Sequence, residues 1–353
     1  MILVKYINRE IILTGALVTM VLAIILLGGR LLMYLGYAAE GRLLASLVFR
    51  MVLYRSPEFL QMIIPLGFFM GILLALGRMS IERELAVIEG AGKSLTWIGL
   101  GLMPLIILLT ALVMMLSVYL GPLGVQQTDL LFEKQQERSQ VSTLAPKRFH
   151  TMSNGQGVIY VNNVMDGLSM HDIFLANVEK DNTFVVLAGR GKREVFAKEG
   201  EEFIQLIEGQ RYDVQPGTST GTIIEFNGYR AKINQPDARI ASTRVKGAKT
   251  LSLLQQDDWQ ARAELHWRLG LPLLIPNVAL LALALCRVNP RQGRFLRLFP
   301  AIAVYLLYLG FAMVFKAQVE KHGMLALVGY WSLHGIMFVV GVVGLRLSDR
   351  GRL

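Results

Sequence analysis

The sequence lacks the residue patterns on which most enzymes depend. Residues 90–94 (GAGKS) end like a phosphate-binding loop, but Val87 stands where that loop requires its first glycine. The five histidines are scattered without metal-ligand spacing, and no serine occupies a Gly-x-Ser-x-Gly elbow. The sequence therefore predicts a protein that is not an enzyme and has no cofactor or metal of its own.

The sequence has only one cysteine, and several long apolar stretches contain no acidic residue, lysine or arginine. The single cysteine, Cys286, excludes an intramolecular disulfide. Acidic and basic residues, apart from one histidine, are missing from six apolar stretches, each about as long as a helix that crosses a bilayer. These stretches are residues 11–29, 59–77, 98–120, 269–286, 298–315 and 324–345. Buried helices of a soluble protein would carry polar faces, which these stretches lack, so we expect six membrane spans.

The absence of charge inside these stretches also bears on function. Ion-coupled transporters usually keep acidic or basic side chains within their spans, and here His334 is the only one. The sequence thus disfavours an ion-driven lipid carrier that works alone. A membrane anchor for an interaction domain, without transport, is a further alternative. If the protein transports a substrate, its energy must come from a partner.

The net charge of +10 belongs to the membrane part of the chain. Residues 121–268 hold 18 basic and 18 acidic side chains, and this neutrality argues against nucleic-acid binding by a soluble domain there. The short segments on the side of the two termini carry twelve basic residues, and those on the opposite side carry six. The positive-inside rule therefore places both termini in the cytoplasm.

The six basic residues of the outer side have two interpretations. They either reach ordinary lipid headgroups by snorkelling or surround a cavity in which they hold the phosphates of a lipid. They are Arg30, Arg42, Arg50, Arg55, Lys316 and Lys321.

A β-rich domain is predicted between the third and fourth spans, because the apolar pattern changes there to a period of two. The candidate strands are residues 157–161, 173–178, 183–188, 203–207, 211–214, 222–226 and 229–233. Asn227 and Gly228, between two alternating runs, predict a tight hairpin. Many short strands indicate a sandwich or jelly roll, whose exposed edges can accept strands from another chain.

Two helical patterns flank the spans. Ile81, Leu85 and Ile88 form an apolar stripe within residues 78–94, which predicts a short amphipathic helix that lies on a cytoplasmic partner or on the headgroups. Glu264 and Arg268 stand at i and i+4 before the fourth span and predict a structural ion pair.

The order of these parts resembles a known family. The stretches that carry the resemblance are residues 6–10 (YINRE), 76–92, 261–265 (ARAEL) with Trp267 and Arg268, and 288–294 (VNPRQGR). Together they are similar to the LptF/LptG permeases of lipopolysaccharide export, and more to the LptF branch than to the LptG branch. The resemblance covers essentially the whole chain.

The resemblance implies an α+β membrane protein of three parts. Residues 1–120 would form transmembrane helices 1–3 with a cytoplasmic coupling helix at about 78–94. Residues 121–255 would form a periplasmic β-jelly roll, and residues 256–353 transmembrane helices 4–6. The expected location is the inner membrane of a Gram-negative bacterium, with both termini in the cytoplasm.

The resemblance also implies partners and a transport function. The family works as two permease subunits, so an LptG-like subunit and a dimer of an LptB-like ATPase are expected. The complex would extract lipopolysaccharide from the outer leaflet of the inner membrane. It would pass the lipid to membrane-anchored LptC-like and periplasmic LptA-like jelly rolls for delivery to the outer membrane.

The resemblance further assigns roles to individual residues. Coupling to the ATPase is expected at Ile81, Arg83, Glu84, Leu85 and Ile88, with Glu84 as the acidic contact. Lipid binding is expected at Arg30, Met33, Lys316 and Lys321, although Met33 stands where the family has a basic residue. In the jelly roll, Arg211 is expected to act in transfer.

Overall fold

A computed structural model describes most of the chain in two compact units. The described residues are 2–39, 43–140, 147, 149–151, 157–165, 169–178, 183–196, 201–214, 221–234, 245–287 and 298–350. One unit comprises Met1–Leu131 and Thr243–Leu353, and the other is Phe132–Ser242. The first contains the helical bundle and the second contains the β-sheet.

The helical unit is built from α-helices and two short irregular turns within the described residues. The α-helices are α1 (Ile2–Ala39), α2 (Ala45–Ile81), α3 (Glu84–Gly90), α4 (Leu95–Met115), α5 (Gly121–Gln140, which runs into the second unit), α6 (Thr250–Leu254), α7 (Trp259–Gly270), α8 (Leu274–Leu285), α9 (Leu298–His322) and α10 (Met324–Asp349). A π-helical turn (Leu116–Leu120) joins α4 to α5, and a 3₁₀ turn (Leu271–Leu273) joins α7 to α8.

Six membrane spans are confirmed among the described residues. They are Ile2–Ala39, Ala45–Ile81, Leu95–Phe132, Trp259–Leu285, Phe299–His322 and Met324–Asp349. All six are longer than the charge-free stretches that predicted them, because the helices continue into polar residues beyond the apolar core. The prediction of an α+β membrane protein with an inserted β-domain is confirmed with them.

Small residues allow α1 and α2 to pack closely. A Cβ atom on Gly67 would lie 1.8 Å from the Thr19 hydroxyl oxygen, and one on Gly71 would lie 2.8 Å from the Gly15 Cα. Lipid chains are as apolar as leucine, so close backbone contact rather than the hydrophobic effect stabilises such helix pairs.

The third span contains a break whose cause is Pro122. Proline has no N–H to donate to the carbonyl oxygen of Val118, and the helix widens into the π-turn at this point. The Thr250 hydroxyl donates to that carbonyl at 2.6 Å instead. Ser117, in the same turn, donates to the carbonyl of Arg268 at 2.8 Å. The break therefore ties the third span to the start of the fourth.

Among the residues that the structure describes, the inserted unit contains one six-stranded antiparallel sheet. Its strands are β1 (Phe149–Thr151), β2 (Gly157–Met165), β3 (Ser169–Val178), β4 (Thr183–Phe196), β5 (Glu201–Val214) and β6 (Gly221–Asn234). Each strand pairs with its neighbours in chain order. The sheet is thus a meander. Short connections between antiparallel strands favour this order.

The predicted hairpin at Asn227 and Gly228 is wrong. Both residues lie inside β6, where Gly228 pairs with Ile207 of β5. Four predicted strands therefore merge into two long ones. The pairing of β6 with the equally long β5 outweighs the local turn preference of Asn-Gly.

Asn227 instead lies on a line along which the sheet bends. Asp172 and Glu208 have positive φ angles of 52° and 56°, and each interrupts the pairing of its strand. Side chains from both sides of this line pack in one core, which contains Ile159, Ile173, Val186, Ile204 and Leu206 among others. A Cβ on Gly191 would lie 2.3 Å from Ile173 Cδ1 across that core. A single folded sheet thus supplies two layers.

Candidate functional site

The helical unit holds an ion triad in which one carboxylate serves two cations. Arg268 Nε donates to Glu264 Oε1 at 3.0 Å, as the i,i+4 spacing on α7 predicts. Lys316 Nζ of α9 donates to Glu264 Oε2 at 2.5 Å. The side chains of Arg268, Glu264 and Lys316 are 2%, 9% and 16% exposed, so water screens these pairs weakly.

Arg268 is a structural residue in this triad. Its Nη1 donates at 2.9 Å to the Ala248 carbonyl and to the Thr250 hydroxyl. Its Nη2 donates to the carbonyls of Lys246 (2.9 Å) and Val245 (3.3 Å). A guanidinium with five fixed donors suits such a buried position. Arg268 therefore holds residues 245–250, which lead in from the β-domain, against the fourth span.

Lys316 faces a cavity of about 230 Å³ in the same unit. Its ammonium group lies 5.2 Å from the centre of the Trp267 ring, which also lines the cavity. Gln61 contributes a side chain that is 7% exposed, and its Oε1 has no hydrogen-bond partner among the described residues. The cavity thus offers an amine donor and an amide acceptor within an apolar bundle.

The wall of this cavity carries more positive than negative charge. Lys246, Arg268 and Lys316 are its cations, and Glu58 and Glu264 are its anions. Glu58 is already paired with Arg55 at 2.7 Å. Arg268 and Lys316 are shielded from solvent whereas Lys246 is exposed, and the cationic excess favours an anionic ligand.

The other residues predicted to bind lipid lie elsewhere on the bundle. Arg30 is exposed on α1, with its guanidinium 4.8 Å from the centre of the Phe59 ring and its Nη1 3.6 Å from the sulfur of Met33. Lys321 is exposed in the last turn of α9. The structure gives Arg30 and Lys316 separate partners, and it brings only Lys316 to the cavity. Arg42 and the VNPRQGR stretch lie outside the described residues.

The predicted coupling segment, residues 78–94, contains a separate helix that is shorter than the segment. The second span ends at Ile81, Arg83 adopts a left-handed conformation (φ 64°), and only Glu84–Gly90 forms a separate helix. Leu85 and Ile88 are buried in the core of the bundle. Their apolar stripe therefore holds α3 to the spans. Sequence periodicity identifies an apolar stripe but does not show what covers it.

The exposed surface of α3 contains Val87, which the sequence analysis missed. Its side chain is 72% exposed, on the side of the helix opposite Leu85 and Ile88. Glu84 lies beside it and accepts a hydrogen bond from Tyr6 Oη at 3.2 Å. The feature that marks this surface is an exposed apolar residue, Val87, in the short helix between the second and third spans.

Distant helices fix α3 and the start of α4. Arg287, at the end of α8, donates to Glu89 Oε1 at 2.8 Å. Asp349, at the end of α10, accepts from the backbone N–H of Leu95 at 2.8 Å and thereby caps α4. α3 is thus bonded to the end of the fourth span, and the start of α4 is bonded to the end of the sixth.

In the β-domain, Arg211 lies on the inner face of the folded sheet. It pairs across strands with Val186 of the core, and its guanidinium lies 4.3 Å from the centre of the Phe184 ring. It donates to Asp213 Oδ1 at 2.7 Å and to Tyr229 Oη at 3.0 Å. Burial disfavours its charge, but these bonds outweigh burial and raise the pKa of Arg211 above its ordinary value.

Comparison with known proteins gives one family and several named relatives. The family described as "Lipopolysaccharide export system permease LptF/LptG" matches residues 5–347. The chain is 28% identical over 347 residues to "Lipopolysaccharide export system permease protein LptF" of Escherichia coli K12, covering 97% of this chain and 94% of that protein. The proteins of the same name from Escherichia coli O157:H7 and Shigella flexneri match with the same identity and coverage.

Proposed function

This chain belongs to the LptF/LptG family of lipopolysaccharide export permeases, and we propose that it is the LptF-type subunit of an ABC transporter. In this proposal the complex extracts lipopolysaccharide from the outer leaflet of the inner membrane and passes it to a periplasmic β-bridge. The relatives that carry the LptF name support the LptF assignment over the LptG-type paralogue.

The observation that carries the proposal is the cation-rich cavity beside Lys316. A phosphorylated lipid needs cations at headgroup depth and an apolar surface for its acyl chains. The cavity provides the first, and the many exposed apolar side chains of α1, α4 and α10 provide the second. The positive-inside distribution supports an orientation in which this cavity and the β-domain lie on the periplasmic side.

The proposed energy source is a dimer of an LptB-like ATPase, which works on this chain and an LptG-like subunit. Val87, Arg83 and Glu84 form the proposed contact, because they are at least partly exposed on α3 or immediately before it. The ion pair of Glu89 with Arg287 supports transmission from α3 to the fourth span.

Charge reversal tests this contact. We expect Glu84→Lys combined with Val87→Asp to abolish co-purification of the ATPase, because the pair replaces the acidic contact by a basic group and places a carboxylate at the exposed apolar position of the proposed interface. The matched control is Glu82→Lys, because Glu82 is also exposed but lies at the end of α2. Unchanged ATPase yield and ATP turnover in the double variant would refute the proposed contact.

The β-domain is proposed to carry the lipid onward to LptC-like and LptA-like proteins. Its folded sheet encloses an apolar inner face on which Arg211 stands. Photo-crosslinking from residue 224, which pairs with Arg211 at the rim of this face, tests the role. ATP hydrolysis without a lipopolysaccharide adduct there would favour an interaction domain over a carrier.

Native mass spectrometry of the detergent-purified complex tests the proposed function as a whole. We expect masses for this chain, a second six-span subunit and two ATPase subunits, with bound lipopolysaccharide. A chain that purifies alone and moves lipid under a membrane potential would instead support the ion-coupled carrier.

A further inference from the structure

The two oxygens of the Glu264 carboxylate differ in what depends on them. Oε1 accepts from Arg268, whose remaining donors bond to four groups of residues 245–250. Oε2 accepts from Lys316, whose long side chain reaches it from another span. The bond to Oε1 is therefore part of a fixed network, whereas the bond to Oε2 joins two side chains that can separate.

Separation would not leave Glu264 without a counter-ion. Removing one partner of a buried pair normally leaves an uncompensated charge, which is strongly unfavourable. Here Arg268 Nε lies 3.0 Å from Glu264 Oε1 and would still compensate the carboxylate if Lys316 moved away. Lys316 is thus the cation of the triad that can change its partner at the lowest cost.

The cavity offers room and partners for an anion in place of Glu264. Its volume of about 230 Å³ exceeds several times the roughly 30 Å³ that one water molecule occupies in the liquid. The unpartnered Gln61 Oε1, on a side chain more than nine-tenths buried, lines the same cavity. It can accept a hydrogen bond from a hydroxyl or from a water that accompanies the anion.

We propose that Glu264 is the resident counter-ion of Lys316 and that a phosphate group displaces it. Before substrate binds, Glu264 holds the ammonium group at the cavity wall. A phosphate monoester on a lipid headgroup then takes Lys316, and Glu264 remains with Arg268. Competition of this kind makes binding selective for phosphate, because a weaker anion does not replace a carboxylate at 2.5 Å. The proposal rests on the function proposed above.

Glu264→Gln separates the two halves of the triad. The amide oxygen can still accept from Arg268 Nε, while the amide nitrogen cannot accept from Lys316. We expect Glu264→Gln to raise the affinity of the complete detergent-purified complex for bis-phosphorylated lipid A by about fivefold. Glu320→Gln, an equal charge change at an exposed position of α9, should leave binding unchanged.

The double variant decides between exchange and simple repulsion. If Glu264 acts by occupying Lys316, Glu264→Gln should have no effect on binding when Lys316→Met is also present. An equal rise in that background would mean that Glu264 only repels the anion, and the exchange would be refuted. Dephosphorylated lipid A should respond to neither substitution. Competition by inorganic phosphate at millimolar concentration would show that the group alone, without the lipid, suffices.

A measurement on the unmodified complex guards against a misfolded variant. A carbodiimide should join Lys316 Nζ to the Glu264 carboxyl as an amide, with loss of the activated oxygen as urea, and peptide mass spectrometry detects the product. We expect bis-phosphorylated lipid A to suppress this amide. If saturating lipid did not suppress the amide, the exchange would be overturned. The proposed transport function would fail only if the complex bound no phosphorylated lipid.

Discussion

Two regions of the molecule place a cation against an aromatic ring and a carboxylate, yet with different charge balance. In the β-domain, Arg211 lies over Phe184 and donates to Asp213, so one positive charge meets one negative charge. In the helical unit, Lys316 lies near Trp267 and shares Glu264 with Arg268, so two positive charges meet one. The first site is neutral and the second has a charge to spare. In the proposed function, this difference separates Arg211, which shapes a surface, from Lys316, which binds an anion.

The largest expected effect concerns stability at the charged site. Arg268→Met should lower the free energy of unfolding by about 3–5 kcal/mol, because it leaves Glu264 Oε1 and four backbone or hydroxyl acceptors without their donor. Thermal unfolding of the complex in detergent measures the loss. Arg262→Met, a partly exposed arginine of the same helix, should change the midpoint little. Equal shifts for both would contradict the structural role of Arg268.

Lipid binding should respond most strongly to Lys316. Lys316→Met should weaken binding of bis-phosphorylated lipid A by roughly tenfold, the value of a charge-assisted hydrogen bond, and leave thermal stability almost unchanged because Arg268 keeps Glu264 paired. Titration of the complex with the lipid, followed by native mass spectrometry, gives the affinity. Lys249→Met, an exposed cation of the same unit, is the control. Loss of stability without loss of affinity would assign Lys316 to structure.

The smallest effect is expected at Arg211. Arg211→Lys keeps the charge but loses the paired contacts to Asp213 and Tyr229, so we expect about twofold to fivefold less lipid crosslinking from the inner face of the sheet. Affinity of the helical unit for the lipid should not change. Arg190→Lys, whose partner Glu208 is exposed, is the matched control. A fall in lipid affinity at the cavity would erase the distinction between the two sites.

Length and local pattern explain what the sequence could predict. Charge-free stretches of about 20 residues are sufficient to identify spans, because lipid forces every backbone group in them into a helix. Alternation identified the β-domain, and the i,i+4 spacing identified Glu264 with Arg268. Each of these depends on neighbours in the chain.

Contacts between distant segments could not be predicted. Glu264 and Lys316 are separated by 52 residues, and only the packing of two spans brings them together. Asn227 and Gly228 favour a turn locally, but a long partner strand keeps them extended. Leu85 and Ile88 show an apolar stripe whose direction depends on the position of the bundle core.

The central claim is that this chain moves a phosphorylated lipid with energy supplied by a partner. Proteoliposomes that contain this chain, an LptG-like subunit and an LptB-like ATPase test it, with labelled lipopolysaccharide and an LptA-like acceptor outside. We expect lipid transfer only when ATP and all three proteins are present, and a strong reduction with Lys316→Met. Transfer by this chain alone under a proton gradient, or ATP hydrolysis by the isolated chain, would contradict the account.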